Sequence, residues 1–131
     1  MIDKWKIFSD ERGGNLIPIE FHKLRFQPKR SFTVSNVPAG ATRGNHAHYE
    51  TEQLLICING QILVGLDDGY QIKEILLNPG ESVYVDKMVW DYQKFITGNE
   101  FMLVLSSTNY DPKDYINDLE EFYRQAKNGR S

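Results

Sequence analysis

The sequence predicts an all-β fold, an antiparallel sandwich or barrel of short strands followed by one C-terminal helix. Three observations carry this expectation. Turn-forming groups such as Pro38-Ala39-Gly40, Asn59-Gly60, Asp67-Asp68-Gly69, Asn78-Pro79-Gly80 and Thr97-Gly98-Asn99 punctuate the chain, at about the 8–12-residue spacing of β-sandwiches. The segments between them are rich in β-branched and aromatic residues, which favour strands. An apolar repeat at three- and four-residue intervals occurs only near the C-terminus, where it predicts a helix.

Each element follows in order. Ser31 to Val37 reads as a strand that stops at Pro38. Gln53 to Leu66 reads as two strands around Asn59-Gly60, because Asn-Gly accepts the positive φ angles of a tight type I′ hairpin. Tyr70 to Leu77, Ser82 to Val85, Val89 to Phe95 and Phe101 to Ser106 supply further strands. Asp111-Pro112 offers an N-cap carboxylate and an N1 proline, which predicts a helix over about 112–127. Tyr115, Leu119, Phe122 and Ala126 form its apolar stripe, and Asn128-Gly129 ends it. Leu54 to Ile58 is apolar at both parities, so it is expected to be covered on both faces. In so short a chain the second cover is expected to be another subunit, which predicts a homodimer.

The chain has 131 residues, a length suited to one domain spanning 1–131. Its apolar share of 40% and charged share of 25% are ordinary for a globular domain and argue against disorder. A net charge of −3 supplies no general basic field for nucleic acid or an anionic membrane. Cys57 is the only cysteine. No intrachain disulfide is possible, and its apolar neighbours predict a small buried hydrophobe. The N-terminus lacks the apolar stretch of a signal peptide, and no run nears the roughly 18 residues of a membrane span. A cytoplasmic protein is expected.

The chemistry concentrates in Thr42 to Gln53, which holds His46 and His48, two of the three histidines. On a strand these two share a face, with Cα atoms about 6–7 Å apart. Three readings stay open from the residues alone. The pair is a surface feature of an edge strand; or it ligates a metal with Glu52 of the same parity and Asp91; or it carries protons, since an imidazole both takes and gives one near neutral pH. No histidine lies downstream of His48, which weakens the metal reading. His22 is expected to be structural, and Glu50, Asp67 and Asp68 to be solvated-face and turn residues.

His46-Ala47-His48 with Glu52 and Gly60 resembles the first cupin motif, and Pro79-Gly80 with Val89-Trp90-Asp91 falls where the second would lie. The likeness sharpens with Asp10-Glu11-Arg12-Gly13-Gly14, Ile19-Glu20, Arg43-Gly44-Asn45, Glu52-Gln53-Leu54-Leu55, Leu66-Asp67-Asp68-Gly69 and Tyr110-Asp111-x-x-Asp114-Tyr115. Together these resemble the WxcM-like, FdtA/QdtA-type sugar 3,4-ketoisomerases over nearly the whole chain.

The resemblance implies a cupin jelly-roll β-barrel, commonly a dimer with exchanged N-terminal strands. It implies isomerisation of dTDP-4-keto-6-deoxy-D-glucose to a 3-keto sugar, without metal or other cofactor, in the making of deoxyaminosugars for surface glycans such as lipopolysaccharide. It casts His48 as base and His46 as shuttle or oxyanion donor. Arg12 and Arg43 become the anion contacts, because a guanidinium forks onto phosphate oxygens, and Gln53 a further substrate contact. Asp91 stands where some relatives carry His or Arg. It is expected to act in catalysis or substrate positioning, the alternative being a salt bridge with Lys87 or Lys94. Arg12-Gly13 resembles the galacto-forming members more closely. Metal-dependent and non-catalytic nucleotide-sugar-binding cupins are the rival readings.

Overall fold

A computed structural model describes residues 2–128. Ten strands and one helix follow one another as β1 (Ile2–Lys4), β2 (Arg30–Ser35), β3 (Thr42–His48), β4 (Gln53–Asn59), β5 (Ile62–Asp67), β6 (Ile72–Leu77), β7 (Glu81–Val85), β8 (Trp90–Phe95), β9 (Phe101–Ser106), β10 (Tyr115–Ile116) and α1 (Leu119–Asn128). They form two five-stranded antiparallel sheets, ordered β1-β7-β4-β9-β2 and β10-β3-β8-β5-β6. The sheets face each other across a core of Leu55, Cys57, Val83, Val85, Met102 and Val104 from the first and Ile62, Val64, Leu77 and Phe95 from the second. This is the cupin jelly-roll arrangement that the resemblance implied, with the sheets remaining separate rather than closing into a continuous barrel.

Asn59-Gly60 does not close a hairpin. β4 and β5 lie in different sheets, so the turn carries the chain across the sandwich. A type I′ turn needs positive φ at both central residues, and of these two only Gly60 has it, at 77°. The buried Glu100 fills the corner instead. Its carboxylate accepts from the amides of Gln61 at 2.8 Å and Gly98 at 2.9 Å and from Thr97. A side chain at position 60 would overlap it. Burial opposes the charge on Glu100, but the hydrogen bonds from Thr97, Gln61 and Gly98 prevail and hold its pKa down to about 2.

The C-terminal helix starts later than expected. Asp111 does cap a turn, accepting from the Lys113 amide at 3.0 Å, but Pro112–Asp114 is a single 3-10 turn. Tyr115–Ile116 then pairs with β3, Tyr115 opposite His48 and Ile116 opposite Ala47. Helix α1 begins after Asp118, whose side chain accepts from the Glu120 amide at 3.1 Å. Asp118 with Glu121 has the Asp-x-x-Glu spacing of a capping box, a competing start signal seven residues beyond Asp111. Phe122 and Ala126 bury against Ala47, Trp90 and Ile116 on the outer face of the second sheet. The expected stop at Gly129 lies outside the described residues.

The outer face of the first sheet corrects the expectation about its cover. Leu54, Ile56 and Leu105 pack under Trp5, Ile19, Leu24 and Phe26 of this chain's own N-terminal segment. No second subunit is needed to bury β4. The segment leaves a cavity of about 410 Å³ beside Leu54, Tyr84, Trp5, Phe8 and Phe26. Asp67 is also corrected. It is 4% exposed rather than solvated, accepting from the Tyr123 hydroxyl at 2.5 Å and the Gly69 amide at 2.9 Å.

Candidate active site

The site lies between the sheets, at the end of the sandwich where the apolar core gives way to polar side chains. Strand β3 supplies the histidines. His46 pairs with Asp91 and Arg43 with Gln93, with a bulge between Gly44 and His46. Asn45 is the extra residue, at φ 62°. Residues opposed across an antiparallel pair share a face. The bulge therefore reverses the strand's parity, so that odd-numbered Arg43 shares the inner face with even-numbered His46 and His48.

Strand β8 supplies the opposing carboxyl. Trp90 points outward and packs its ring 5.9 Å from Phe122, so its neighbour Asp91 points inward and is 1% exposed. The Gln93 amide donates to Asp91 Oδ1 at 2.5 Å, while Oδ2 has no partner. Neither Lys87 nor Lys94 bridges to it, so the salt-bridge alternative does not hold. Burial pushes the Asp91 carboxyl up to about 7, against the hydrogen bond from Gln93.

His46 and His48 stand edge to face with ring centroids 5.0 Å apart. His48 is 3% exposed, and its Nε2 is buried without a partner. Burial, then the neighbouring His46, pull its pKa down to about 4; Asp114 pulls up and Arg30 down. Burial also lowers His46. One ligating atom each from His46, His48 and Asp91 lie within 4.8 Å of one another. Both imidazoles thus favour the neutral form while Asp91 favours the protonated one, a base and an acid in a single cluster.

That trio could also hold a metal ion by geometry. Glu52, the fourth member of the metal reading, lies outside it and accepts from the Tyr84 hydroxyl instead. The positive charge of Arg30 bears on His48 and works against a second cation at the same imidazole.

Gln53 opens β4 on the inner face and donates to Ser106 Oγ at 3.0 Å. Arg43 is exposed at the rim. Arg12 is not brought to the cluster. Its guanidinium is 85% exposed and pairs with Asp10 at 2.6 Å, in an N-terminal loop closed by the Phe8–Leu16 bridge.

Two side chains at the site were missed in the sequence. The Tyr115 ring lies 4.5 Å from that of His48 and 5.1 Å from that of His46, although the helical stripe had claimed it. Arg30 opens β2 opposite Ser106, and its Nε is buried without a partner. Its parity with Val34, which packs against the core, was the available signal.

Residues 1–127 match the protein family described as "FdtA: WxcM-like, C-terminal". The chain belongs to this family. A curated relative, the TDP-4-oxo-6-deoxy-alpha-D-glucose-3,4-oxoisomerase of Aneurinibacillus thermoaerophilus, is 39% identical over 111 residues, covering 83% of this chain and 80% of its own. Among solved structures, the sugar 3,4-ketoisomerase QdtA of Thermoanaerobacterium thermosaccharolyticum, in complex with TDP, superposes with a TM-score of 0.88 at 34% identity, covering 98% of this chain and 95% of that one. The TDP-fucose-3,4-ketoisomerase WlaRA of Campylobacter jejuni superposes with a TM-score of 0.85 at 30% identity, covering 98% and 96%. The chain is an isomerase.

Proposed function

We propose that this chain is a metal-independent 3,4-ketoisomerase that converts dTDP-4-keto-6-deoxy-D-glucose to a dTDP-3-keto-6-deoxyhexose. The observation that carries the reading is the cluster of His46, His48 and Asp91, with atoms within 4.8 Å and pKa values pushed in opposite directions. Moving a carbonyl from C4 to C3 requires the parts such a cluster holds: a neutral base, a protonated acid and a path between them.

The steps balance without a redox partner. His48 takes the C3 proton; the C–H pair forms C3=C4 and the carbonyl pair moves onto O4. O3 then gives its proton, by way of His46, to O4. As the C3 carbonyl forms, C4 takes a proton from Asp91, and His48 returns a proton to Asp91 across the cluster. The edge-to-face contact of the two rings and the Tyr115 ring against both fix the imidazoles for these transfers.

Arg43 at the rim is suited to the diphosphate, and Gln53 to a sugar hydroxyl. Arg12 reaches a site only from another copy in this reading. The N-terminal loop that carries it exposes Phe8 at 48% and Leu16 at 62%, apolar surface that a homodimer would bury. The galacto product is favoured on the Arg12-Gly13 pair. The reading places the enzyme in deoxyaminosugar synthesis, in the cytoplasm; no described helix is long and apolar enough to cross a membrane.

The test is the reaction of dTDP-4-keto-6-deoxyglucose in deuterated water with excess chelator, followed by NMR. Expected are a 3-keto product and solvent deuterium at the reprotonated C4, whose configuration is read from the same spectra. His48→Asn is expected to lower kcat by ~10²–10⁴-fold, the range of general acid–base catalysis. Activity that disappears with chelator and returns with a transition metal would move His46, His48 and Asp91 to the metal reading.

A further inference from the structure

Buried polar side-chain atoms in folded proteins nearly always have a hydrogen-bond partner, so the exceptions point to function. Among the described residues there are three: His48 Nε2, Asp91 Oδ2 and Arg30 Nε. The first two are the base and acid of the proposed reaction. The third has no role in it and comes from the opposite sheet.

Arg30 is placed there by register. It pairs with Ser106 on β9, and Ser106 pairs in turn with Gln53 on β4. All three lie on the inner face of the first sheet, the face that looks toward β3 and β8. The guanidinium is held between aromatic rings, 5.5 Å from the Phe32 centroid and 5.7 Å from that of Tyr110. Tyr110 lies 6.0 Å from Tyr115, which in turn touches His48. Arg30 thus forms part of the same wall as the base. None of the salt bridges among the described residues uses it. A half-buried guanidinium with no salt-bridge partner among the described residues, beside imidazoles that favour the neutral form, is placed to meet an anion.

The reaction supplies that anion transiently. When His48 removes the C3 proton, a full negative charge develops on O4, passes to O3 as the hydroxyl proton moves between them, and persists until C4 takes its proton. We propose that Arg30 is the residue that binds this enediolate oxygen, donating from its guanidinium to the charge as it forms. Its rings hold it in place beforehand, so little reorganisation is needed at the moment of reaction. This role rests on the ketoisomerase reading. It differs from that of an arginine on the diphosphate, which would strengthen substrate binding equally before and during the reaction.

Kinetics of Arg30→Ala and Arg30→Lys with dTDP-4-keto-6-deoxyglucose, together with TDP binding, separate these roles. For Arg30→Ala, kcat is expected to fall by ~10²–10³-fold, the usual loss on removing an oxyanion donor, with the KM and the TDP Kd within about threefold of wild type. Added guanidinium ion is expected to restore part of the kcat, which a purely structural role would not allow. Arg30→Lys keeps the charge without the fork and decides the matter if Arg30→Ala does not fold: a kcat lowered at least ~10-fold at unchanged KM supports the role. A kcat within about threefold of wild type in the folded variants, or a loss confined to KM and TDP binding, overturns it. If the wild type itself leaves the sugar unchanged, the ketoisomerase reading fails instead.

Discussion

His48 sits among charges of both signs, and their balance decides when it is a base. Arg30 and His46 oppose its protonation, Asp114 favours it, and burial outweighs all three. Asp91, on the facing strand, favours its neutral form and adds little charge below about pH 7. Asp114 is fixed by its backbone surroundings. Its carboxylate accepts from the Glu50 amide at 2.8 Å and from the Thr51 hydroxyl, and its carbonyl from the Tyr49 amide at 3.0 Å. The Asp114→Asn variant keeps the shape and loses the charge. His48 then holds its proton less well, so the acidic limb of the kcat/KM profile is expected to move to lower pH. A limb that stays in place while the melting temperature falls would reduce Asp114 to a purely structural clamp. The histidines were legible in the sequence because residues two apart on a strand share a face, and Asp91 because it follows Val89-Trp90 where the second cupin motif falls. Tyr115 was not, since a two-residue strand leaves too little period to read, and Arg30 was marked only by its parity with Val34.

At the scale of elements, β3 is a strand whose chemistry depends on one irregular residue. Strict alternation would set Arg43 and His46 on opposite faces; the bulge at Asn45 brings them to one. Asparagine tolerates φ 62° better than other non-glycine residues, and β-branched residues pay most there. Asn45→Val is therefore expected to cost about 1–2 kcal/mol in chemical denaturation, and Asn45→Gly much less. Equal losses in both would show that the Asn45 side chain, not its backbone, matters. Gly65 tests the opposite face. It lies under the Tyr92 ring, where a methyl group would overlap it, so Gly65→Ala is expected to lower the melting temperature more than alanine at an exposed strand position. Local turn chemistry predicted most strand ends correctly. It misjudged Asn59-Gly60 and Asp111-Pro112 because both are sound local signals that tertiary partners, Glu100 and β3, put to other use.

Over the whole molecule, the two sheets divide the interior into an apolar end that supplies stability and a polar end that spends some of it on function. Asp91 and His48 bury ionisable groups in opposite senses, and their contributions to stability run against each other with pH. A carboxyl raised from 3.8 to about 7 contributes stability that is present below about pH 4 and lost as the pH rises through 7. A histidine lowered from 6.5 to about 4 contributes stability present above 6.5 and lost as the pH falls through 4. Between pH 4 and 7 the two slopes largely cancel, leaving the wild type nearly flat in this window. Removing either group uncovers the other. Asp91→Asn is expected to gain stability as the pH rises from 4 to 6.5, and His48→Asn to lose it from 4 to 7, each by about 2–3 kcal/mol at 1.36 kcal/mol per pKa unit with allowance for partial solvation. The double variant is expected to keep only the shallower rise with pH that His46 contributes, since burial lowers its pKa too. Denaturant titrations of the four proteins across this range measure the slopes, and single variants whose curves run parallel to the wild type would show that neither group is held in the folded protein away from its ordinary charge state.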